Sequence, residues 1–322
     1  MTRILTRHDV ASVLTLDDCL GPVEETFRQY GERRLDPPRS AGVHAQHGTF
    51  HIKAAMTDVF AAKINANFPE NAKRHGLPTI QGVIIVMDAD RGEPLGILDS
   101  TWITTVRTAA ATAVAAKHLA KSTARTATII GCGIQGRANL EALLGVRPIA
   151  AAYALDLDPG AAERFAHEMQ ARLGISVIPA TSIDAAVAAS DIVVTCTPSR
   201  FPILHRAHWH PGLFIAGVGA DNPEKHELAP ELLRESLVVP DILDQEATMG
   251  DLHHAIAAGM LTQKNIHGEL ADVICGRVPG RRNDEEVFIF DSTGTALQDV
   301  AVASLALTRG IERGIGVDIA LA

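Results

Sequence analysis

TATIIGCGIQGRANLEAL, from Thr126 to Leu143, packs a strand, a glycine turn and a helix into one run. The apolar strand (Ala127, Ile129, Ile130) enters a turn with Gly131, Gly133 and Gly136. The helix that follows carries Ile134, Leu140 and Leu143 on its apolar side. This is G-x-G-x-x-G in the context a dinucleotide needs. Gly131 permits the tight turn, Gly133 removes the Cβ that would block a pyrophosphate, and Gly136 brings the helix close to the sheet. Free N–H groups at the helix start, around Ile134 and Gln135, face the phosphates. A second strand, Ala151 to Leu155, ends at Asp156, 20 positions after Gly136, where an acid accepts hydrogen bonds from the adenosine ribose. Leu157 stands where an arginine would read a 2′-phosphate, so NAD is expected; NADP is the alternative, through Arg137 or Arg164.

Outward from this stretch the pattern is α/β. Strands are expected at Ala127 to Ile130, Ala151 to Leu155, Ser176 to Ile178, Ile192 to Thr195, Leu213 to Val218 and Leu237 to Pro240, with a further one at Glu286 to Phe290. Alternating with helices, they predict a Rossmann-type doubly wound parallel sheet. The chain before it reads differently. Residues 8 to 33 are predicted helical, opening on Asp9 as N-cap, with a second helix from Thr15 or Asp17 through Tyr30, and Pro37 and Pro38 close that region. Thr49 to Met56 and Val59 to Ile64 read as strands about a turn at Thr57 and Asp58. Leu77 to Met87 and Leu95 to Leu98 read as a hairpin whose loop, Asp88 to Pro94, uses Gly92 at positive φ. Helices are expected at Thr104 to Leu119 and Gly294 to Arg309. The organisation is therefore a discontinuous α+β antiparallel domain, residues 1–120 completed by about 304–322, around a Rossmann domain at 121–303.

Composition bounds the function. A length of 322 residues accommodates two cores. Hydrophobic residues at 47% and charged residues at 21% describe an ordinary globular protein, and the net charge of -9 argues against a nucleic-acid partner. Cys19, Cys132, Cys196 and Cys275 form no C-x-x-C pair, no run approaches the ~18 apolar residues of a membrane span, and the charged opening MTRILTRHDVASVL is not a signal peptide. A cytoplasmic protein with no membrane partner is expected. His205, His208, His210, His253 and His254 fit no standard ligand spacing, so no metal is expected.

Six segments together resemble one family. PPRS (Pro37 to Ser40), AAKINANFPEN (Ala61 to Asn71), RTAAATAVAAKHLA (Arg107 to Ala120), GCGIQGRANLEAL, GVGADNPEKHEL (Gly217 to Leu228) and DSTGTALQDVAVA (Asp291 to Ala303) are similar to the ornithine cyclodeaminase / mu-crystallin family. The resemblance implies a homodimer formed through the antiparallel domain, an NAD(P)-binding Rossmann domain and an active site in the cleft between the two domains. It implies that Arg39, Lys63 and Arg107 hold the substrate carboxylate and amine region, with Thr79, or Gln81, as a polar contact on the central strand. Asp221 matches the carboxylate assigned acid/base work, with Lys63 as the alternative proton carrier. Thr197, Ser199, Val218, Gly219 and Asp291 are expected beside the cofactor with the glycine-turn residues and Asp156.

Cyclodeaminases carry an acid in the strand after the PR segment, whereas this chain has Phe50, His51, Ile52 and Lys53 there. A cation is a poor neighbour for ornithine's second ammonium, although Asp58 stands close by in sequence. The expected function is NAD(P)-dependent hydride transfer at the Cα of a small amino or cyclic imino acid, in the manner of an imine reductase or alanine dehydrogenase. The alternatives are redox-neutral cyclodeamination of ornithine or lysine, and an NAD(P)-dependent binding protein of the crystallin type.

Overall fold

The structure, a computed structural model, describes Met1 to Leu321. The chain divides into two units, Met1–Arg107 with the segment from Thr295 onward, and Thr108–Gly294. The divisions fall inside the helix Ser100–Leu119 and one residue ahead of the helix Ala296–Glu312, whereas the sequence reading put them at 120 and 303. Side chains near the start of each helix belong to the first unit's core, which moves both boundaries.

The strands among the described residues, in chain order, are β1 (Thr2–Leu5), β2 (Arg39–Ala45), β3 (Gly48–Met56), β4 (Val59–Asn67), β5 (Ile80–Asp88), β6 (Pro94–Asp99), β7 (Thr126–Ile130), β8 (Ala151–Leu155), β9 (Ser176–Pro179), β10 (Ile192–Thr195), β11 (Phe214–Gly217), β12 (Leu237–Pro240), β13 (Phe288–Asp291) and β14 (Val317–Ile319). In the second unit β7 to β13 form one parallel sheet in the order β12-β13-β11-β10-β7-β8-β9. The run β9-β8-β7-β10-β11 is the doubly wound order, with its switch point between β7 and β10. β10, β11 and β13 are buried throughout, as a sheet covered on both faces requires. β13, expected only as an addition, is inserted between β11 and β12.

The first unit's sheet runs β14-β1-β6-β5-β4-β3-β2. It is antiparallel from β2 to β6, but β1 pairs parallel with β6 and antiparallel with β14, so the sheet is mixed rather than antiparallel. β1 and β14 have four and three residues, too short for a periodic signal, and Arg3 opposite Asp318 clamps them with a 2.6 Å ion pair. β5 starts at Ile80, not Leu77, because Pro78 has no N–H to donate and Gly76, at φ 64°, closes the short helix Asn71–His75. The opening helices, Arg7–Val13 and Leu16–Gly31, start from Thr6 and Thr15. Asp9 is not the N-cap but the third helical residue, its carboxylate accepting the Thr6 N–H in a capping box.

Alternation splits this sheet into two unlike faces. Ala55, Ala61, Ile84, Val86 and Leu98 are buried on one face, where the helix Ala296–Glu312 lies on β3 and β4 and Leu16–Gly31 packs against that helix. Burial of Ile84 or Leu98 contributes about 2 kcal/mol each. Gly96 leaves the space Leu307 fills, since a Cβ there would lie 2.8 Å from its Cδ1. The other face shows Val43, Phe50, Ile64 and Val83, between 37% and 53% exposed. No helix among the described residues is long and apolar enough to cross a membrane.

Candidate active site

The second unit carries the dinucleotide turn at the carboxyl end of β7. Gly131 has φ 102°, and a Cβ on it would lie 2.8 Å from the Cys196 carbonyl oxygen. A Cβ on Gly136 would lie 2.2 Å from the Gly131 carbonyl, so both positions exclude any larger residue. Gly133 is different: a Cβ there meets nothing within 4 Å, and the space beside the turn stays clear. Gly133 is also the N-cap of the helix Ile134–Leu144 and offers no side chain to the first N–H groups, while Ile134 is 65% exposed beside them. Such a terminus suits an anion.

Asp156 follows β8 and accepts the Cys132 N–H at 2.8 Å and the Asp158 N–H at 3.0 Å. Its carboxylate is thus fixed to the glycine turn. The residues offered as NADP readers are engaged elsewhere: Arg137 holds Glu168 at 2.8 Å and Arg164 holds Asp158 at 3.1 Å. Leu157 is fully exposed. A cleared turn, an uncapped helix start and a fixed acid fit a dinucleotide with a free ribose 2′-hydroxyl.

Thr197 and Gly219, beyond the carboxyl ends of β10 and β11, are gathered by a residue the sequence reading missed. The fully buried Glu227 carboxylate accepts from Thr195 Oγ1 (2.8 Å), Thr197 N (2.6 Å), Thr197 Oγ1 (2.7 Å) and Gly219 N (2.8 Å). Burial pushes its carboxyl up, and these four donors oppose that shift. Gly219 admits no Cβ, which would lie 2.4 Å from the Thr197 carbonyl. Ser199 donates its hydroxyl to the Phe201 carbonyl, and the Val218 N–H is spent on Thr195. Asp291 is not a surface contact: it is fully buried, and its carboxylate accepts the Leu252 N–H at 2.6 Å. Asp221 is half-buried, 2.7 Å from Lys225 Nζ. The turn that follows belongs to Asn222, whose Oδ1 accepts the Glu224 and Lys225 N–H groups.

The first unit holds a buried cluster of charge. Lys63 on β4 places Nζ 2.7 Å from the Asp299 carboxylate, and Arg107 places Nε 2.9 Å from it. Arg107 also donates to Gln298 Oε1 at 2.5 Å. Lys53 stands directly opposite Lys63 in the β3–β4 ladder, is 9% exposed, and acts on both Lys63 and Asp299. Burial pushes the Lys63 ammonium down, Arg107 pushes it further, and Asp299 holds it up; the outcome is about 7. Burial pushes the Asp299 carboxyl up, but Lys63 and Arg107 outweigh it and hold it below the usual range. Asp299 lies in the first turn of its helix, whose dipole also favours an anion. Asp299 and Gln298 were not among the expected site residues; the visible signal was an acid set among apolar residues in the run ALQDVAVA, Ala296 to Ala303.

Arg39 and Thr79 are not drawn into this cluster. Arg39 is exposed at the start of β2 opposite Ala54, one step out of phase with the Lys53–Lys63 pair. Thr79 is exposed, one residue ahead of β5 rather than within it, and its carbonyl accepts the Phe68 N–H. Asp58 sits in the β3–β4 turn with its carboxylate on the Thr57 hydroxyl, so it brings no acid to Lys63. That acid is Asp299.

The chain is 36% identical to an alanine dehydrogenase of Archaeoglobus fulgidus, over 98% of this chain and 97% of that protein. Its fold is that of an archaeal alanine dehydrogenase dimer solved with bound NAD, at a TM-score of 0.96 and 34% identity, covering 100% of this chain and 99% of that one. The Δ1-pyrroline-2-carboxylate reductase of Thermococcus litoralis, solved with NADH and L-proline, follows at a TM-score of 0.94 and 30% identity, covering 99% of this chain and 100% of that one. The model of the ornithine cyclodeaminase/mu-crystallin family matches residues 1–311, and the chain belongs to that family.

Proposed function

We propose that this protein is an NAD-dependent enzyme that reduces the C=N bond of a 2-imino acid and, in reverse, oxidises the corresponding amino acid. The observation that carries this is Lys63: an amine buried against Asp299 and poised near neutrality both gives and takes a proton at working pH. NADH, when bound, supplies the hydride for the imine carbon. Lys63 delivers the proton to the imine nitrogen, and Asp299 keeps Lys63 charged and aimed. Arg107 holds the substrate carboxylate, as a guanidinium group suits. Asp221, with Lys225 beside it, exchanges protons with water. Gly131, Gly133, Gly136 and the Ile134–Gln135 helix start receive the pyrophosphate, Asp156 the ribose, and Thr197, Ser199, Val218 and Gly219 border the nicotinamide end.

The same reading makes the protein a cytoplasmic homodimer. Its cysteines are free thiols, and the apolar outer face at Val43, Phe50, Ile64 and Val83 is a surface a second copy would cover.

The test follows reduced-nicotinamide absorbance with NADH or NADPH against pyruvate plus ammonia and against Δ1-pyrroline-2-carboxylate. Oxidation of NADH in preference to NADPH is expected. Ammonia released from ornithine with NAD, without net NADH, would replace this reading with cyclodeamination; silence in both would point to a binding protein.

A further inference from the structure

Thr295-Ala296-Leu297-Gln298 opens the last helix with the spacing of a capping box, in which the glutamine reaches back for the N–H of the N-cap Thr295. Here the side chain of Gln298 is turned elsewhere. Its Oε1 accepts from Arg107 Nη1 at 2.5 Å, while the next residue, Asp299, faces Arg107 Nε at 2.9 Å. Two consecutive side chains of one helical turn thus hold two nitrogens of the same guanidinium. The helix start is served by Thr295 alone, whose Oγ1 accepts the Leu297 N–H at 3.3 Å.

The other half of the Gln298 amide is left over. Gln298 is 1% exposed, as deep as Lys63 and Arg107, and its Nε2 finds no acceptor among the described residues. A buried N–H without a partner is costly, and protein interiors seldom carry one. Leu297 and Val300 on either side are buried and apolar, so an apolar residue at 298 would spare that cost. The group that completes Nε2 is an acceptor able to stand beside a guanidinium. Oε1 and Nε2 share one carbon, so Nε2 lies next to the Arg107 group that Oε1 grips. A carboxylate, whose two oxygens also share one carbon, takes one donor from each side chain. The imine nitrogen fits less well, because it receives its proton from Lys63.

We infer that Gln298 is a substrate-binding residue, its Nε2 donating to the α-carboxylate of the imino acid that Arg107 holds. This rests on the reading of Arg107 as the holder of that carboxylate. Arg107 supplies charge and Gln298 supplies direction. Two donors from different side chains fix the plane of the carboxylate, and with it the face of the C=N bond offered to the hydride.

The experiment measures KM and kcat for the imine that the wild type reduces, Δ1-pyrroline-2-carboxylate or the imine of pyruvate plus ammonia, in the wild type, Gln298→Glu and Gln298→Met. Gln298→Glu keeps an acceptor for Arg107, Gln298→Met adds no charge, and both lose the donor. The expected result is a KM raised about tenfold or more in both variants. NADH affinity by fluorescence titration is expected to stay as in the wild type. The melting temperature of Gln298→Glu should not fall, since that variant retains the Arg107 contact and removes an unpaired N–H. A KM unmoved in either folded variant would overturn the inference, and so would a loss of NADH affinity in place of the KM effect, which would turn the amide toward the cofactor. Reduction of neither imine by the wild type would overturn the imine-reductase reading and this inference with it.

Discussion

Lys63 and Asp299, 236 residues apart in the chain, meet at 2.7 Å with each side chain 3% exposed. The contact joins the fourth strand of the first sheet to the opening turn of the last helix, and Arg107 binds the same carboxylate from a third element. One acid thus holds the lysine's proton against burial and the neighbouring arginine, and binds that arginine too.

Removing that acid has a double consequence. In Asp299→Asn the buried cations lose their counter-charge, and stability is expected to fall by about 3 kcal/mol in denaturant unfolding. With the carboxylate gone, the Lys63 value falls below its present level of about 7. Reduction needs protonated Lys63, so its kcat/KM declines as pH rises through about 7, while oxidation gains over the same interval. Both limbs should move to lower pH in Asp299→Asn. Unmoved limbs would assign the titration to another group.

Asp156→Ala is expected to weaken NADH binding about tenfold and NADPH binding less, because the free ribose hydroxyls lose an acceptor while a 2′-phosphate loses a repulsive neighbour. Fluorescence titration of both cofactors measures the ratio. An unchanged ratio would mean that another residue reads the ribose.

Glu227→Gln replaces an acceptor of four hydrogen bonds by an amide with only one acceptor oxygen, and turns an NH2 group toward N–H donors. A loss of about 2 kcal/mol is expected, together with weaker cofactor binding, since Thr197 and Gly219 lose their common anchor. Full retention of NADH affinity would remove Glu227 from any positioning role.

A buried acid cluster predicts alkaline sensitivity. Asp291, Glu246 and Asp251 are fully buried; burial pushes all three carboxyls up, Asp291 to about 7 and the other two well above their ordinary range. Groups whose folded values are raised bind more protons folded than unfolded. Their stabilisation is present below the ordinary carboxylate value near ~4 and is lost as pH rises through about 7 and beyond. Asp291 and Asp241 push the Glu246 carboxyl up further, and Glu246→Gln keeps the shape without a titrating proton. The variant is expected to narrow the difference in melting temperature between pH 5.5 and pH 9, and an unnarrowed difference would exonerate Glu246.

For the assembly, Ile64→Glu on the exposed face is expected to yield monomer where the wild type is a dimer, as measured by light scattering of the eluting protein. A wild-type monomer would refute the dimer outright.

The dinucleotide fold was legible from the chain alone because its signals are local. Apolar strands, Gly131, Gly133 and Gly136, and an acid at the end of the next strand all fall in the single stretch Thr126 to Asp156, so spacing specifies them. The same holds for the hairpins about Thr57 and Gly92. What the tertiary structure decided was long-range. The edge strand β14 and its neighbour β1 exist only because the two ends of the chain meet. Glu227 matters through strand ends that meet in space, and Asp291 was drawn inward by a helix start it caps. Above all, the meaning of Lys53 and Lys63 depended on register: alternation alone cannot tell which face a helix will cover, and only packing of Ala296–Glu312 on that face brought Asp299 to them.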